Sequence, residues 1–199
     1  MKIRSVVIVG VAARAFPWDP EDEIWAINRA GVMYPNAARW FHLHGPEHIK
    51  AAEGWEHFDW LKRRAKPQFD STGVVRPRCA VYTPRGESQV PGSIAFPYRE
   101  VCADLEFDDP ETWGDDSLEP HLHNSFPLLI ALAVMEGATS ITLDGVQFGY
   151  DRPAEAWAIP AIEFHLGRAM GKGITVRVPQ GSGLMVPHHL YGLAGPGSI

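Results

Sequence analysis

Two short strand-like runs in this chain each end on a glycine, Ser5-Val6-Val7-Ile8-Val9-Gly10 near the start and Ser140-Ile141-Thr142-Leu143-Asp144-Gly145 in the second half. A continuous β-branched run is what a strand buried on both faces of a parallel sheet needs, and a terminal glycine lets backbone approach a ligand at the strand's carboxyl end. Ligands of open α/β sheets bind at that edge. Such junctions also occur where loops bind nothing; two of them, with helix N-terminal signals nearby, point to a nucleotide-type crevice.

Further strands are expected at Glu23–Ile27, at Arg39–Leu43 before the Gly45-Pro46 stop, at Ala80–Tyr82 and at Ile174–Val178. Between the first two there is little room for a full crossover helix. Residues Pro46 to about Lys66 read as helical, with Trp55, Phe58, Trp60 and Leu61 available for packing. Asn124 or Ser125 caps a helix that runs to about Glu136, with Pro127 in its tolerant first turn and Gly137 as its stop. Leu128 to Met135 is apolar all round, so this helix is expected to be buried. A last helix spans about Ala158 to Met170.

These elements predict an α/β fold: a single Rossmann-like domain over residues 1–186, its mostly parallel central sheet flanked by helices. An irregular, lid-like insertion is expected over about 84–120, and a glycine- and proline-rich flexible tail over 187–199. The length of 199 residues suits one domain. A net charge of -6 gives no general attraction to nucleic acid, and no stretch is apolar enough to span a membrane. Only two cysteines are present, Cys79 and Cys102, without C-x-x-C spacing, and no signal peptide is expected, so a cytoplasmic setting is predicted.

Gly10-x-Ala12 lacks the later glycines of a dinucleotide fingerprint, and no Walker loop is present. His42-Leu43-His44 and His121-Leu122-His123 are H-x-H pairs, which on a strand present two imidazoles to one side. They read as polar side chains at a sheet edge ahead of a metal site, and the carboxylate pairs Asp108-Asp109 and Asp115-Asp116 end no convincing strand, so no metal is expected. His165, beside the apolar face of its helix, reads as a packing residue, and His188-His189 as inert. The buried helix beginning at Ser125 offers free backbone N–H groups to a phosphate or carboxylate.

The succession of Val6–Gly10, Ile24–Asn28, Trp40–His44 and His123-Asn124-Ser125, followed by the buried helix and Leu143–Phe148, resembles the bacterial CMP-sialic-acid-dependent sialyltransferases and their short, often phage-encoded relatives. The resemblance covers most of the chain, thinly. It implies nucleotide contacts from Gly10, Ala12, Asn28, Ser125, Gly145 and Val146. The family's histidine base does not carry over, because Asp151-Arg152-Pro153-Ala154-Glu155 stands in its place, and Gln147 replaces an aspartate. The candidate bases are therefore His44, His123, Asp151 and Glu155.

The function expected on this basis is that of a glycosyltransferase-like protein taking a nucleotide or nucleotide-sugar at the carboxyl edge of the sheet, with no further cofactor. Self-association is left open. Two other classes stand beside it: a catalytically silent nucleotide-binding or phage assembly protein, and a histidine-metal hydrolase.

Overall fold

The computed structural model describes residues 4–12, 18–45, 55–65, 68–69, 75–76, 79–105, 122, 124–146, 158–179 and 181–185. Seven strands form one wholly parallel sheet: β1 (Ser5–Val9), β2 (Glu23–Ile27), β3 (Arg39–Phe41), β6 (Ala80–Thr83), β7 (Ile94–Ala95), β8 (Ser140–Asp144) and β9 (Thr175–Arg177). Two-residue strands β4 (Gln68–Phe69) and β5 (Val75–Arg76) pair antiparallel, apart from it. The spatial order is β7-β6-β3-β2-β1-β8-β9. The chain thus builds outward from β1 on one side, then returns to lay β8 against the other side of β1. That reversal puts a switch in strand order at the carboxyl ends of β1 and β8, the place where ligands bind in open α/β sheets.

Alternate residues of each strand pack into two cores. Val6 and Ile8 of β1, with Ile141 and Leu143 of β8, face helices α4 (Ser125–Met135) and α5 (Ala158–Gly171), joined there by α3 (Tyr98–Asp104). Val7 and Val9 face the opposite way with Ala26, Trp40 and Val81, under α1 (Ala30–Met33) and α2 (Trp55–Ala65), whose Leu61 is fully buried. The β-branched run of β1 is thus buried on both sides.

α4 is held at both ends by its own sequence. The side chain of Asn124 accepts from the Phe126 N–H at 3.0 Å, so Asn124 is the cap and Ser125 the first helical residue. At the other end Gly137 takes φ +78° and donates to the Val134 carbonyl, while the Ala138 N–H reaches back to Ala133 at 2.9 Å. These two bonds form a Schellman stop, which needs a residue free to adopt a left-handed conformation.

From Pro84 onward the expected irregularity begins too early. Residues Gly86–Ser88 form a turn of 3-10 helix, β7 adds to the sheet edge beside β6, and α3 packs on the α4 side of the sheet. The cause is backbone pairing, which the short and exposed Ile94–Ala95 signals poorly: the Phe96 N–H continues the ladder onto the Thr83 carbonyl at 2.9 Å. Arg168 of α5 ties α3 down through the Asp104 carboxylate and carbonyl. Residues 106–121 and 186–199 lie outside the described residues.

The amino ends of the strands are clamped by charge. Arg4, Glu23 and Arg39 stand at the starts of β1, β2 and β3, and Glu136 at the end of α4. Arg39 bonds Glu23 at 2.7 Å and both oxygens of Glu136 at 2.8 and 2.9 Å, and Arg4 bonds Glu23 at 3.0 Å. The Arg39 guanidinium also lies 4.7 Å from the Trp25 ring centre. Burial pushes the Glu23 carboxyl up, but the Trp25 indole N–H, Arg39 and Arg4 outweigh it and hold Glu23 below its ordinary value of 4.5. The folded chain therefore binds fewer protons at this site than the unfolded one. Its stabilisation is whole above about pH 4.5 and is lost as the pH falls through the lowered folded value. Thermal melts are expected to be level at neutral pH and to fall below about pH 4.5, and Glu23→Gln is expected to flatten that acid limb.

Candidate functional site

At the strand reversal the exits of β1 and β8 are stitched together by backbone. The Gly10 N–H donates to the Asp144 carbonyl at 2.8 Å, and the Ala12 N–H to the Gly145 carbonyl at 3.3 Å. A Cβ on Gly10 would stand 2.6 Å from the Gly145 oxygen and 3.3 Å from the tip of Phe126. Gly145 itself has φ +67°. Glycine at both positions is therefore a requirement of close approach and of a left-handed turn, and it brings the amino end of α4 to the same point.

Asn28 ends β2 one strand away, and its backbone is fixed on every side. Its N–H donates to the Phe41 carbonyl at 2.9 Å, and its carbonyl accepts from the Trp40 indole at 2.6 Å and from Gly31 at 3.2 Å. It adopts φ +49°, a left-handed conformation that asparagine tolerates better than most side chains. Its amide oxygen is buried and has no hydrogen-bond partner among the described residues. A buried acceptor left open at a sheet's carboxyl edge is a place for a ligand donor.

His42 and His44 follow β3. His42 is fully buried and His44 half-buried, with ring centres 5.6 Å apart, edge to face, and the His44 carbonyl accepts from the Gln89 amide at 2.7 Å. Gly10, Ala12, Asn28, His44, Ser125 and Gly145 thus all lie along one edge of the sheet, at strand exits or at the start of α4. Val146 follows Gly145 but is buried, its side chain packed in the core with α4, so any contact with a ligand falls to its backbone. His123, Asp151 and Glu155 lie outside the described residues, as do His121 and Gln147. Among the described residues no three His, Cys, Asp or Glu side chains converge as a metal site would need, and no helix is long and apolar enough to cross a membrane. His165 is buried on α5. Burial pushes the Cys79 thiol up to about 11, the wrong direction for a nucleophile at neutral pH.

The residues that sequence reasoning missed lie on the other face of β8. In parallel register Ser5, Ser140 and Thr175 stand abreast, then Val7, Thr142 and Arg177, then Val9 and Asp144. This face borders a cavity of about 670 Å³, whose lining also takes in Trp18 and the acidic loop Asp19–Asp22. Asp144, 4% exposed, lies at its carboxyl end, and Tyr34 is close enough that burial first and the Asp144 charge second push its hydroxyl up. The signal is in the sequence: β8 alternates Ser140, Thr142 and Asp144 with Ile141 and Leu143, where a strand covered by helices on both faces would be apolar throughout.

No family model, no curated protein and no solved structure matches the chain.

Proposed function

We propose that this chain binds a nucleotide in the crevice between the carboxyl ends of β1 and β8, and that the nucleotide is the leaving group of an activated sugar in a glycosyl transfer. The observation that carries the binding reading is the reversal of strand order between β1 and β8, with Gly10, Gly145 and the amino end of α4 meeting there. In the first turn of α4 Pro127 has no N–H and the Phe126 N–H is held by Asn124, so the Ser125 N–H and the helix dipole are what favour a phosphate. Ser125 supplies a hydroxyl beside that turn, and Asn28 an open amide acceptor for a ribose hydroxyl or a base N–H. The sugar-transfer part rests on the likeness of Val6–Gly10, Ile24–Asn28 and His123–Ser125 to the sialyltransferases. In such a transfer the acceptor hydroxyl must lose a proton as its oxygen bonds the sugar carbon and the bond to phosphate breaks. His44 stands at the correct edge for that proton, and His123, Asp151 and Glu155 are the other bases the sequence offers.

A panel of nucleoside mono- and diphosphates tests the binding. One member is expected to raise the melting temperature, because a ligand held only by the folded chain adds stability by mass action. Asn28→Gly is expected to weaken that ligand by about five- to tenfold, the worth of one hydrogen bond between neutral groups, and Ser125→Ala by about tenfold or more, since its partner is a charged phosphate. Glycine is the better replacement at Asn28, since it accepts the left-handed backbone without strain. Release of nucleotide from a sugar nucleotide separates a transferase from a silent binding protein.

A further inference from the structure

The exit of β3 is held by more than its sheet. Its ladder with β6 closes at the His42 N–H, which donates to the Tyr82 carbonyl at 2.9 Å. His44 lies two residues further on, where its carbonyl accepts from the Gln89 side-chain amide at 2.7 Å, a tether between positions 45 apart. The His44 ring meets the fully buried His42 ring edge to face, with centres 5.6 Å apart. Backbone and ring are thus held from two sides, the ring against a wall set in the buried interior.

The turn that carries Gln89 is built more firmly than a connection requires. Gly86 takes φ +58°, and a Cβ on it would stand 2.7 Å from the Ala95 nitrogen, so conformation and space both call for glycine. The buried Thr83 hydroxyl donates to the Gly86 carbonyl at 3.3 Å and meets the Ser93 hydroxyl at 3.1 Å, while Ser93 donates to the Val90 carbonyl at 2.7 Å. The Gln89 N–H donates to the Gly86 carbonyl at 2.9 Å. Gln89 is therefore fixed by its backbone, and its side chain, 7% exposed, runs inward to the exit of β3 rather than out to water. Its amide oxygen is buried and has no hydrogen-bond partner among the described residues. Such an open acceptor lowers stability where an apolar side chain of the same length would not. Natural sequences break packing rules of this kind chiefly at functional or strained sites.

We propose that Gln89 is a positioning residue for His44, holding its backbone so that the imidazole keeps one place at the carboxyl edge of the sheet. This role deepens the reading of His44 as the base for the acceptor hydroxyl and rests on it. Gln89→Met fills the same space with an unbranched side chain and no amide, so the fold is expected to survive it. Gln89→Asn, which keeps the amide but is one methylene too short, is the second variant and is expected to act in the same way. In the full parent chain the His44 ring Cε1–H is expected to give a single sharp resonance, assigned by its loss in His44→Ala. In both Gln89 variants that resonance is expected to shift and broaden as the ring takes several positions. With a sugar nucleotide, Gln89→Met is expected to lower kcat by about ten- to a hundredfold, the effect of a misplaced reacting group, and to leave KM nearly unchanged. Added to His44→Ala it should lower kcat no further, since a residue that acts through another then has nothing to act on. The ring resonance decides the proposal even in a chain that turns nothing over, a result that counts against the transferase reading alone. The proposal is overturned if both Gln89 variants leave the His44 resonance as it is in the parent, or if Gln89→Met slows His44→Ala as much as it slows the parent.

Discussion

Trp40→Ala is expected to cost the fold about 3–5 kcal/mol, the range for deleting a fully buried tryptophan. A domain holds only about 5–15 kcal/mol in all, so the variant should melt about 10 °C lower or fail to accumulate folded. The size of the effect follows from what Trp40 joins. Its ring packs edge to face on Trp60 at 5.8 Å, and its N–H reaches the Asn28 carbonyl at 2.6 Å, tying β3 to the exit of β2. The fit is tight enough that a Cβ on Gly31 would stand 2.0 Å from the indole ring. Gly31→Ala should therefore destabilise by over-packing, by about 1–3 kcal/mol or more, although alanine is the better helix former. Urea unfolding measures both, and a Trp40→Ala chain within about 1 kcal/mol of the parent would contradict this packing.

Gly10→Ala is the second large effect, and it falls on binding as well as on stability. The new methyl group meets the Gly145 carbonyl at 2.6 Å, and because the obstacle is backbone, no side chain can swing aside to admit it. The exits of β1 and β8 must part, which weakens the Gly10–Asp144 and Ala12–Gly145 hydrogen bonds and displaces the floor of the crevice. A loss of at least tenfold in nucleotide affinity is expected, together with a cost of about 1–3 kcal/mol in stability. Gly167→Ala is the matched control: a Cβ there meets nothing within 4 Å, and its place on α5 predicts a gain of about 0.5–1 kcal/mol. Titrations run well below both melting temperatures separate lost binding from lost fold.

The parts of this fold that are legible in the sequence are those whose burial is complete. β1 declares itself because four successive β-branched residues, Val6 to Val9, are all buried, and α4 because its apolar residues leave no polar face. β7 and α3 are opaque for the opposite reason. Ile94 and Ala95 are exposed and make a strand only through backbone pairing with Tyr82 and Thr83, which side-chain pattern does not encode. The clamp of Arg4, Glu23, Arg39 and Glu136 joins residues up to 132 positions apart, and no local rule brings such partners together. Along the candidate site, Gly10, Asn28, Ser125 and Gly145 are readable because each terminates or begins an element, and sheet topology carries such positions to one edge. The cavity face is half readable: the alternation of Ser140, Thr142 and Asp144 is there, but that it meets Trp18 and the Asp19–Asp22 loop depends on tertiary packing.

The crevice at the strand reversal is tested most directly by titrating the full chain with the nucleotide that raises its melting temperature most and mapping which backbone amides move. The account predicts saturable shifts at Gly10, Ala12, Asn28, Ser125 and Gly145, with the Ser125 N–H moving strongly as phosphate approaches the first turn of α4. Shifts confined to other surfaces, or none from any nucleoside mono- or diphosphate at millimolar concentration, would contradict it.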